Sequence, residues 1–355
     1  MKNYIYLFLT FTLTAGFWFP QTSAAQAPAT TPSSISTASS YQPQFLLKWG
    51  SHGSRIRNRR FSKFFGVVAD SNNNIYVADW GNYRIQKFAG SGVFIAKWGS
   101  AGADDRQFNG PLSIAVDTGN NVYVADQGNG RVQKFSSDGS FVAKWGTYGS
   151  GDGQFVSPKG IAVDTDNNVY VTDFNDNRIQ KFASDGSFLT KWGSTGANTG
   201  ELIQPYGIAV DKSGNIYVAE WGNHRVQKFA SDGTFISKWG AYGSGDGQFV
   251  NPSGIAIDTD NNVYVADTGN YRVQKFASDG TFLTKWGSEG SGDDQFGSPV
   301  GLAIDSDNNI YVLDEKNFRI QKFALKQTVL LNQWKFAQIW ESLKNIFKFL
   351  KYAPD

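Results

Sequence analysis

Gly160–Gly193 has the sequence G-I-A-V-D-T-D-N-N-V-Y-V-T-D-F-N-D-N-R-I-Q-K-F-A-S-D-G-S-F-L-T-K-W-G, and this stretch decides the fold. Ile161–Asp164 is a short apolar run, and Val169–Asp173 is rich in the β-branched and aromatic residues that favour strands. Arg178–Phe182 and Phe188–Trp192 alternate apolar with polar residues, the period of a strand covered on one face. The turn sequences T-D-N-N, F-N-D-N and A-S-D-G separate these segments, because Asn, Asp and Gly accept left-handed backbone angles. The stretch therefore predicts a four-stranded antiparallel sheet of consecutive strands.

The same unit recurs along the chain. A K-W-G motif returns every 47 residues, at Trp98, Trp145, Trp192, Trp239 and Trp286. An earlier copy of this motif contains Trp49. The second strand recurs six times, at Tyr76, Tyr123, Tyr170, Tyr217, Tyr264 and Tyr311. Four-stranded units of roughly 40–50 residues are typical of propeller blades, which must stack around an axis to bury both faces. The sequence predicts an all-β fold, a six-bladed β-propeller of four-stranded antiparallel blades over residues 44–325.

The two ends of the repeat region are incomplete in complementary ways. The segment F-L-L-K-W-G at Phe45–Gly50 matches the outermost strand of a blade, yet no blade precedes it. The sixth unit ends at Arg319–Phe323 and lacks that outermost strand. We expect the N-terminal strand to complete the last blade, because this pairing removes a free sheet edge. The alternative is that Thr328–Trp334 closes the ring.

The composition excludes several kinds of site. The chain has 355 residues, a net charge of +2 and no cysteine. A nearly neutral chain has no overall electrostatic field that attracts nucleic acid or a membrane surface. Without cysteine there are no disulfides, no thiolate nucleophiles and no cysteine ligands for a metal.

The N-terminal region has the pattern of a secretory signal. Met1–Ala25 combines a basic start at Lys2 with an apolar stretch and small residues before Gln26. An uncleaved membrane anchor is the alternative. Residues 26–43 are rich in Pro, Ser and Thr and predict a disordered linker, because they offer little apolar surface to bury. We therefore expect an exported protein that is extracellular, periplasmic or attached to the cell surface.

The C-terminal tail, residues 326–355, changes period. From about Leu331 the apolar residues fall at helical spacing, at Phe336, Ile339, Trp340, Leu343, Ile346, Phe347 and Leu350. Lysines lie off that stripe, so the tail predicts an amphipathic helix. Such a helix either packs on the propeller or binds a membrane surface or a partner through residues 331–351.

The elements N-x-Y-V-A-D and D-x-G-N-x-R-[IV]-Q-K-F resemble the NHL repeat. They occur at Asp79–Phe88, Asp126–Phe135 and Asp267–Phe276, and at Glu220–Phe229 with Glu in place of the first Asp. The resemblance implies a six-bladed propeller. It does not imply one activity, because NHL propellers include domains of tripartite-motif proteins, sensor domains of bacterial receptor kinases and a metal-dependent amidating lyase. The cysteines of RING and B-box domains are absent, so the ubiquitin-ligase role is not implied.

Residues that recur in every unit are expected to serve the scaffold. Each second strand ends in a carboxylate, namely Asp79, Asp126, Asp173, Glu220, Asp267 and Asp314. An arginine follows five residues later, as Arg84, Arg131, Arg178, Arg225, Arg272 and Arg319. These side chains can pair across a tight turn, so we interpret them as structural rather than catalytic. The D-T-D-N-N sequences resemble the start of a calcium loop but lack its Gly and its bidentate Glu, which favours a hairpin turn.

A binding site is expected where the units differ. The first position of the turn after the second strand holds Trp80, Gln127, Phe174, Trp221, Thr268 and Glu315. The position before the arginine holds Tyr83, Gly130, Asn177, His224, Tyr271 and Phe318. Exposed aromatic rings at such positions indicate a binding surface.

The connection into the first unit also departs from the repeat. His52–Arg60 is basic, whereas the other connections contain acidic sequences such as G-S-G-D-G. We expect its arginines beside Trp80 and Tyr83. The candidate ligand-binding residues are Arg55, Arg57, Arg59, Trp80, Tyr83, Phe174, Trp221, His224, Tyr271 and Phe318. The alternative is a solvated loop with aromatic rings packed at the edge of the propeller.

Three functions are compatible with these features. The first is a non-enzymatic binding propeller for a protein or for a glycan-like or anionic polymer, without catalytic residues, metal or cofactor. The second is a propeller lyase or hydrolase, although two histidines, His52 and His224, cannot form a three-histidine zinc site. The third is binding of single-stranded RNA by the basic and aromatic residues, which export of the protein argues against. The oligomeric state stays open.

Overall fold

A computed structural model describes residues 39–53 and 58–329, together with Lys344. These residues fold into six four-stranded antiparallel sheets, each in direct contact with the next. The predicted six-bladed β-propeller is therefore confirmed. The helix predicted for the C-terminal tail finds no support, because residues 330–355 other than Lys344 lie outside the described part of the chain. In that described part, no helix is long and apolar enough to cross a membrane.

The strands follow the repeat closely. The first three are β1 (Ser39–Trp49), β2 (Ser51–His52) and β3 (Arg60–Phe61). Blade 1 contains β4 (Gly66–Ala69), β5 (Asn74–Asp79), β6 (Arg84–Ala89) and β7 (Phe94–Trp98). The connection to blade 2 contains β8 (Ser100–Ala101) and β9 (Gln107–Phe108). Blade 2 contains β10 (Pro111–Val116), β11 (Val122–Asp126), β12 (Arg131–Phe135) and β13 (Phe141–Trp145).

The remaining blades repeat this order. Blade 3 contains β14 (Pro158–Val163), β15 (Val169–Asp173), β16 (Arg178–Phe182) and β17 (Phe188–Trp192). Blade 4 contains β18 (Pro205–Val210), β19 (Ile216–Glu220), β20 (Arg225–Phe229) and β21 (Phe235–Trp239). Blade 5 contains β22 (Pro252–Ile257), β23 (Val263–Asp267), β24 (Arg272–Phe276) and β25 (Phe282–Trp286). Blade 6 contains β26 (Pro299–Ile304), β27 (Ile310–Asp314) and β28 (Arg319–Val329), with β1 as its fourth strand. Short 3-10 helices follow the second strand at Trp80–Asn82, Gln127–Asn129 and Thr268–Asn270.

The core is shared between blades rather than contained within them. Trp98, at the end of β7, lies 6.1 Å from the ring of Tyr76 in its own blade and 6.0 Å from the ring of Phe135 in blade 2. Gly139 of blade 2 has a φ of 87°, and a Cβ there would lie 2.7 Å from the Trp98 ring. Glycine therefore serves both the left-handed turn and the close approach of the tryptophan. The recurring K-W-G motif marks this contact between neighbouring blades.

The N-terminal strand closes the ring. β1 pairs antiparallel with β28, and Trp49 lies opposite Ile320. The Trp49 ring also lies 6.0 Å from the ring of Phe88 in blade 1. Closure by the N-terminal strand is thus confirmed, and the alternative of closure by Thr328–Trp334 is wrong. The pairing starts at Ser39, inside the stretch predicted as a linker (26–43), because β28 extends beyond the repeat and offers it a hydrogen-bonding edge.

The D-T-D-N-N sequences form hairpin turns between first and second strands. In blade 3, Asp164 accepts hydrogen bonds from the backbone of Asp166 at 3.0 Å and of Asn168 at 2.7 Å, and from the Tyr170 hydroxyl at 2.9 Å. Asn167 adopts a left-handed φ of 64°. The carboxylate is therefore used within the turn, as predicted for a hairpin rather than a calcium loop.

These turns also connect the blades to each other. The residue after the Asp donates its backbone NH and hydroxyl to the left-handed Asn of a neighbouring blade, as Thr118 does to Asn167 at 3.2 and 2.9 Å. We call each such contact a latch. Equivalent latches join Ser71 to Asn120, Thr259 to Asn308, and Ser306 to Asn73.

Blade 4 interrupts this series of latches. It has Lys212 and Gly214 where other blades have Ser or Thr and Asn. Gly214 has no side chain to accept a latch from Thr165. The Lys212 ammonium bonds to the Thr259 carbonyl at 2.8 Å, and the buried Oδ1 atom of Asn261 has no hydrogen-bond partner among the described residues.

Restoring one latch should stabilise the protein. Lys212→Thr supplies the missing donors to Asn261, and each intramolecular hydrogen bond contributes about 0.5–1.5 kcal/mol to the free energy of unfolding. Denaturant unfolding followed by circular dichroism measures the change. The reciprocal variant Thr118→Lys removes the latch to Asn167 and should lower the free energy of unfolding by a similar amount. Equal stabilities for the two variants would show that latches do not hold the blades together.

Candidate functional site

A buried network at the turn after each second strand fixes one face of the propeller. In blade 2, Asp126 accepts hydrogen bonds from Arg131 Nε at 2.8 Å, from Asn129 at 2.8 Å and from the Asn109 backbone at 2.7 Å. Arg131 also donates to the carbonyl of Gln107, which lies in the connection arriving from blade 1, at 2.8 Å. The predicted carboxylate–arginine pair is present, and it anchors the connection between blades.

The same pair occurs in the other blades with small variations. The Asp79–Arg84, Asp267–Arg272 and Asp314–Arg319 distances lie between 2.7 and 2.9 Å. In blade 3, Arg178 lies 3.4 Å from Asp173, and it forms a second ion pair in which its Nε lies 3.0 Å from the carboxylate of Asp176. Each carboxylate at the end of a second strand is buried and bonded to donors of the protein itself. The network therefore supports a structural role for the carboxylate–arginine pairs.

Breaking one of these pairs should be costly. Asp126→Ala leaves the Arg131 guanidinium buried without its partner, and such a loss costs about 3–5 kcal/mol of the free energy of unfolding. Asp105→Ala is the matched control, because Asp105 forms an exposed pair with Lys144 at 2.7 Å, and exposed pairs contribute under about 1 kcal/mol. Chemical denaturation checks both variants. Similar losses in the two proteins would contradict the anchoring role of Asp126.

The face that carries these networks has three rings of residues. The inner ring surrounds the axis and follows the Pro that starts the first strand in blades 2 to 6, or Phe64 in blade 1. Its residues are Phe65, Leu112, Lys159, Tyr206, Ser253 and Val300. The middle ring is the first turn position, at Trp80, Gln127, Phe174, Trp221, Thr268 and Glu315. The outer ring is the left-handed position before the arginine, at Tyr83, Gly130, Asn177, His224, Tyr271 and Phe318. All three rings differ from blade to blade, so we call this surface the variable face.

The inner ring surrounds a narrow opening on the axis. The cavity at this mouth has a volume of ≈ 70 Å³, and further along the axis the lining is aliphatic, with Val68, Val116 and Val163 among its residues. A volume of this size holds a few water molecules. A ligand larger than that must therefore lie across the mouth and contact the inner and middle rings.

Four residues of blades 3 and 4 meet at one side of the mouth. The Lys159 ammonium lies 3.5 Å from the centre of the Phe174 ring and 4.6 Å from that of Tyr206. Phe174 meets Tyr206 edge to face at 6.0 Å and Trp221 at 6.5 Å. We call Lys159, Phe174, Tyr206 and Trp221 the mouth cluster. It brings together two predicted site residues, Phe174 and Trp221, with two that the sequence analysis missed.

The chemistry of the mouth cluster follows from its burial. Removal of water from the ammonium lowers the pKa of Lys159 to about 8. Burial also raises the pKa of the Tyr206 hydroxyl, and the negative charge of Glu315 adds to that effect. Lys159 is therefore partly neutral just above physiological pH, while Tyr206 stays protonated.

The signal for Lys159 and Tyr206 was present in the sequence. They occupy the position between Pro and Gly in P-K-G and P-Y-G, where blades 5 and 6 have Ser253 and Val300. This position varies as much as the turn positions do. The position lies in a strand, whereas binding residues are expected in loops, so the sequence pattern alone does not single it out.

The other side of the mouth is more polar. The Lys63 ammonium lies 5.7 Å from the Trp80 ring. Burial raises the pKa of Glu315, and the positive charge of Lys63 opposes that rise. Ser253 and Thr268 share a hydrogen bond of 2.6 Å. Trp80 thus lies on the variable face as predicted, but it is separate from the mouth cluster.

The outer ring packs against the connections between blades. Tyr83, His224, Tyr271 and Phe318 have φ values of 54–55°. The His224 ring lies 5.1 Å from Tyr242, and its Nδ1 accepts the backbone NH of Asn251 at 3.1 Å. Burial lowers the pKa of His224, and the charge of Asp267 opposes this.

The predicted basic cluster is only partly described. Arg55 and Arg57 lie outside the described residues. Arg59 donates to the carbonyl of Gly92, in the turn between β6 and β7 of blade 1. The described side chain of Arg59 therefore bonds to this turn, and the placement of the arginines beside Trp80 and Tyr83 stays a prediction.

The opposite mouth is built mainly from residues that recur in the blades, with blade 4 as the exception. It opens into a cavity of ≈ 280 Å³ lined by the turns between the first and second strands of blades 1, 4, 5 and 6, and carboxylates such as Asp258 are already bonded to Asn262 and Tyr264. Across residues 39–53 and 58–329, no group of three His, Asp or Glu side chains is arranged to hold a metal ion.

The family of the chain can now be stated. Six segments match the family model of the NHL repeat, at residues 66–88, 108–135, 155–182, 202–229, 249–276 and 296–323. This chain is an NHL-repeat protein. The resemblance drawn from the D-x-G-N-x-R motif is confirmed. No curated protein matches the chain.

The NHL propeller is similar to solved structures with different functions. A streptogramin B lyase has a TM-score of 0.58 at 14% identity, covering 82% of this chain and 100% of the lyase. A gluconolactonase from Xanthomonas campestris has a TM-score of 0.55 at 17% identity, and the match covers 75% of this chain and 87% of the gluconolactonase. An auxiliary nutrient binding protein from Bacteroides thetaiotaomicron has a TM-score of 0.60 at 12% identity, and the match covers 80% of this chain and 77% of the binding protein. At these identities the likeness shows the fold alone.

Proposed function

We propose that this NHL propeller is an exported binding protein that holds a polymeric ligand, glycan-like or anionic, across its variable face. The observation that carries the proposal is the mouth cluster, in which Phe174, Tyr206 and Trp221 surround the Lys159 ammonium. Aromatic rings with a few polar groups at a concave opening are typical of ligand sites.

Repetition within the chain supports this assignment. The carboxylate–arginine pairs recur around the ring, and latches recur between most blades, so both serve the scaffold. The mouth cluster occurs once in the described residues. Its rings come from neighbouring blades and stay half-buried, although the propeller core does not require them. Apolar surface retained at an opening favours a contact with a partner.

Export is part of the proposal and rests on composition. Met1–Ala25 has the order of a secretory signal, and these residues lie outside the described part of the chain. A location outside the cytoplasm favours polymers or proteins of the cell envelope over RNA as ligands.

A binding role is favoured over an enzymatic one by the placement of the histidines. His52 packs on Phe318 at 4.5 Å, and His224 packs on Tyr242, so both lie in the outer part of the variable face. Neither belongs to the mouth cluster. The likeness of this chain to the lyase and the lactonase is a likeness of fold alone, and it favours neither role.

The double variant Phe174→Ala/Trp221→Ala should weaken binding more than tenfold, since truncating a central aromatic contact costs over about 1 kcal/mol. Binding is measured by biolayer interferometry against purified acidic and neutral envelope polysaccharides. Leu189→Ala/Ile236→Ala is the matched control, because these exposed residues lie on the outer strands of the same two blades. The proposal fails if no polymer binds, or if both double variants bind as the parent does.

A further inference from the structure

We propose that Lys159 is the anion-binding residue of the variable face, and that the unit seated on the mouth cluster is a uronic acid, a sugar with one carboxylate. This inference rests on the proposed function and deepens it by naming the ligand class.

The first argument is the absence of a carboxylate partner. The repeated lysines of the propeller have one: Lys134 lies 3.7 Å from Asp117, and Lys144 lies 2.7 Å from Asp105. Within the described residues, Lys159 pairs with no carboxylate, and its contacts are the rings of Phe174 and Tyr206. Two rings compensate an ammonium for lost water only in part. A ligand carboxylate would complete the site.

The second argument is the number of charges. One ammonium matches one carboxylate, whereas phosphate groups are usually held by several cations or by the forked donors of arginine. The geometry thus favours a monoanion over a dianion.

The third argument is the surface beside the ammonium. Phe174 and Trp221 are 6.5 Å apart and tilted by 57°, which forms a shallow apolar angle rather than a slot. The C–H face of a pyranose ring fits such a surface through dispersion contacts. The cavity of ≈ 70 Å³ below is too small to admit the sugar, so the ring lies across the mouth with its carboxylate toward Lys159.

The inference has a pH signature. Burial lowers the pKa of Lys159 to about 8 in the free protein, and a bound carboxylate favours the ammonium and raises that pKa. Binding above pH 8 therefore takes up a proton, and affinity should fall about tenfold for each further pH unit. Below pH 7 the affinity should be flat, as long as the ligand carboxylate is ionised.

Other charged groups near the cluster do not produce this signature. Tyr206 has a raised pKa and stays neutral over this range. Asp176 is paired with Arg178 at 3.0 Å. Glu315 and Lys63 lie across the mouth, and Glu315 belongs to the polar side. The variant Glu315→Gln is therefore expected to keep the pH slope.

The test is isothermal titration calorimetry of the full chain with trigalacturonate, neutral maltotriose and the peptide Glu-Glu-Glu. At pH 6.5 we expect trigalacturonate to bind more than tenfold tighter than maltotriose. Lys159→Met should reduce this preference to below threefold. Lys144→Met, which removes an exposed lysine of blade 2, should leave it unchanged.

A second measurement follows the affinity against pH in a variant that keeps the positive charge at position 159. Lys159→Arg should bind trigalacturonate with an affinity that stays flat from pH 6.5 to 9.5, because arginine does not titrate there. The parent should lose affinity above pH 8 and take up a proton, seen as different heats in two buffers at pH 8.5. This comparison holds even where Lys159→Met does not fold, as circular dichroism would reveal.

Several outcomes would overturn the inference. An unchanged acid preference in Lys159→Met, or a pH slope retained in Lys159→Arg, would remove Lys159 from the role. Equal affinity for Glu-Glu-Glu and trigalacturonate would refute the sugar. Failure of trigalacturonate to bind would refute the ligand class. Suppose that maltotriose binds with the same affinity as trigalacturonate, and that Phe174→Ala/Trp221→Ala abolishes maltotriose binding. In that case the inference fails and the proposed function stands.

Discussion

A sheet of four short strands cannot cover its own aromatic residues, and this constraint shapes the whole molecule. Trp98 belongs to blade 1, yet the ring of Phe135 and the bare backbone of Gly139 that complete its burial belong to blade 2. The same relation joins blade 6 to blade 1 through Trp49. No blade has a complete core without its neighbour, so the ring must close, and the N-terminal strand closes it.

In the closed ring, the carboxylate and the arginine that recur in each blade have structural roles. The carboxylate at the end of each second strand holds an arginine, and that arginine holds the incoming connection by its carbonyls. Substitution at these positions would leave a buried charge unpaired, which is costly. Variation is therefore tolerated only where a side chain has no such partner. On the variable face such positions form the three rings, and the mouth cluster is built from them.

Blade 4 departs from the repeat at both ends of the axis. At the variable face it contributes Tyr206 and Trp221 to the mouth cluster. At the opposite end it lacks the latch residues and leaves Asn261 Oδ1 without a hydrogen bond among the described residues. The blade that supplies two of the three cluster rings is thus also the blade with fewer ties to its neighbours.

The sequence by itself determined the strand order, the number of blades, the carboxylate–arginine pairs and the closing strand, because each follows from local pattern and repetition. It also identified Phe174 and Trp221, because a residue that breaks a repeat is visible without coordinates. Only the tertiary structure joined these rings to Lys159 and Tyr206. Residues 15 to 62 positions apart meet at the mouth because the first strands converge on the axis. The radius and tilt of that convergence depend on how all the blades pack together, which no single repeat encodes.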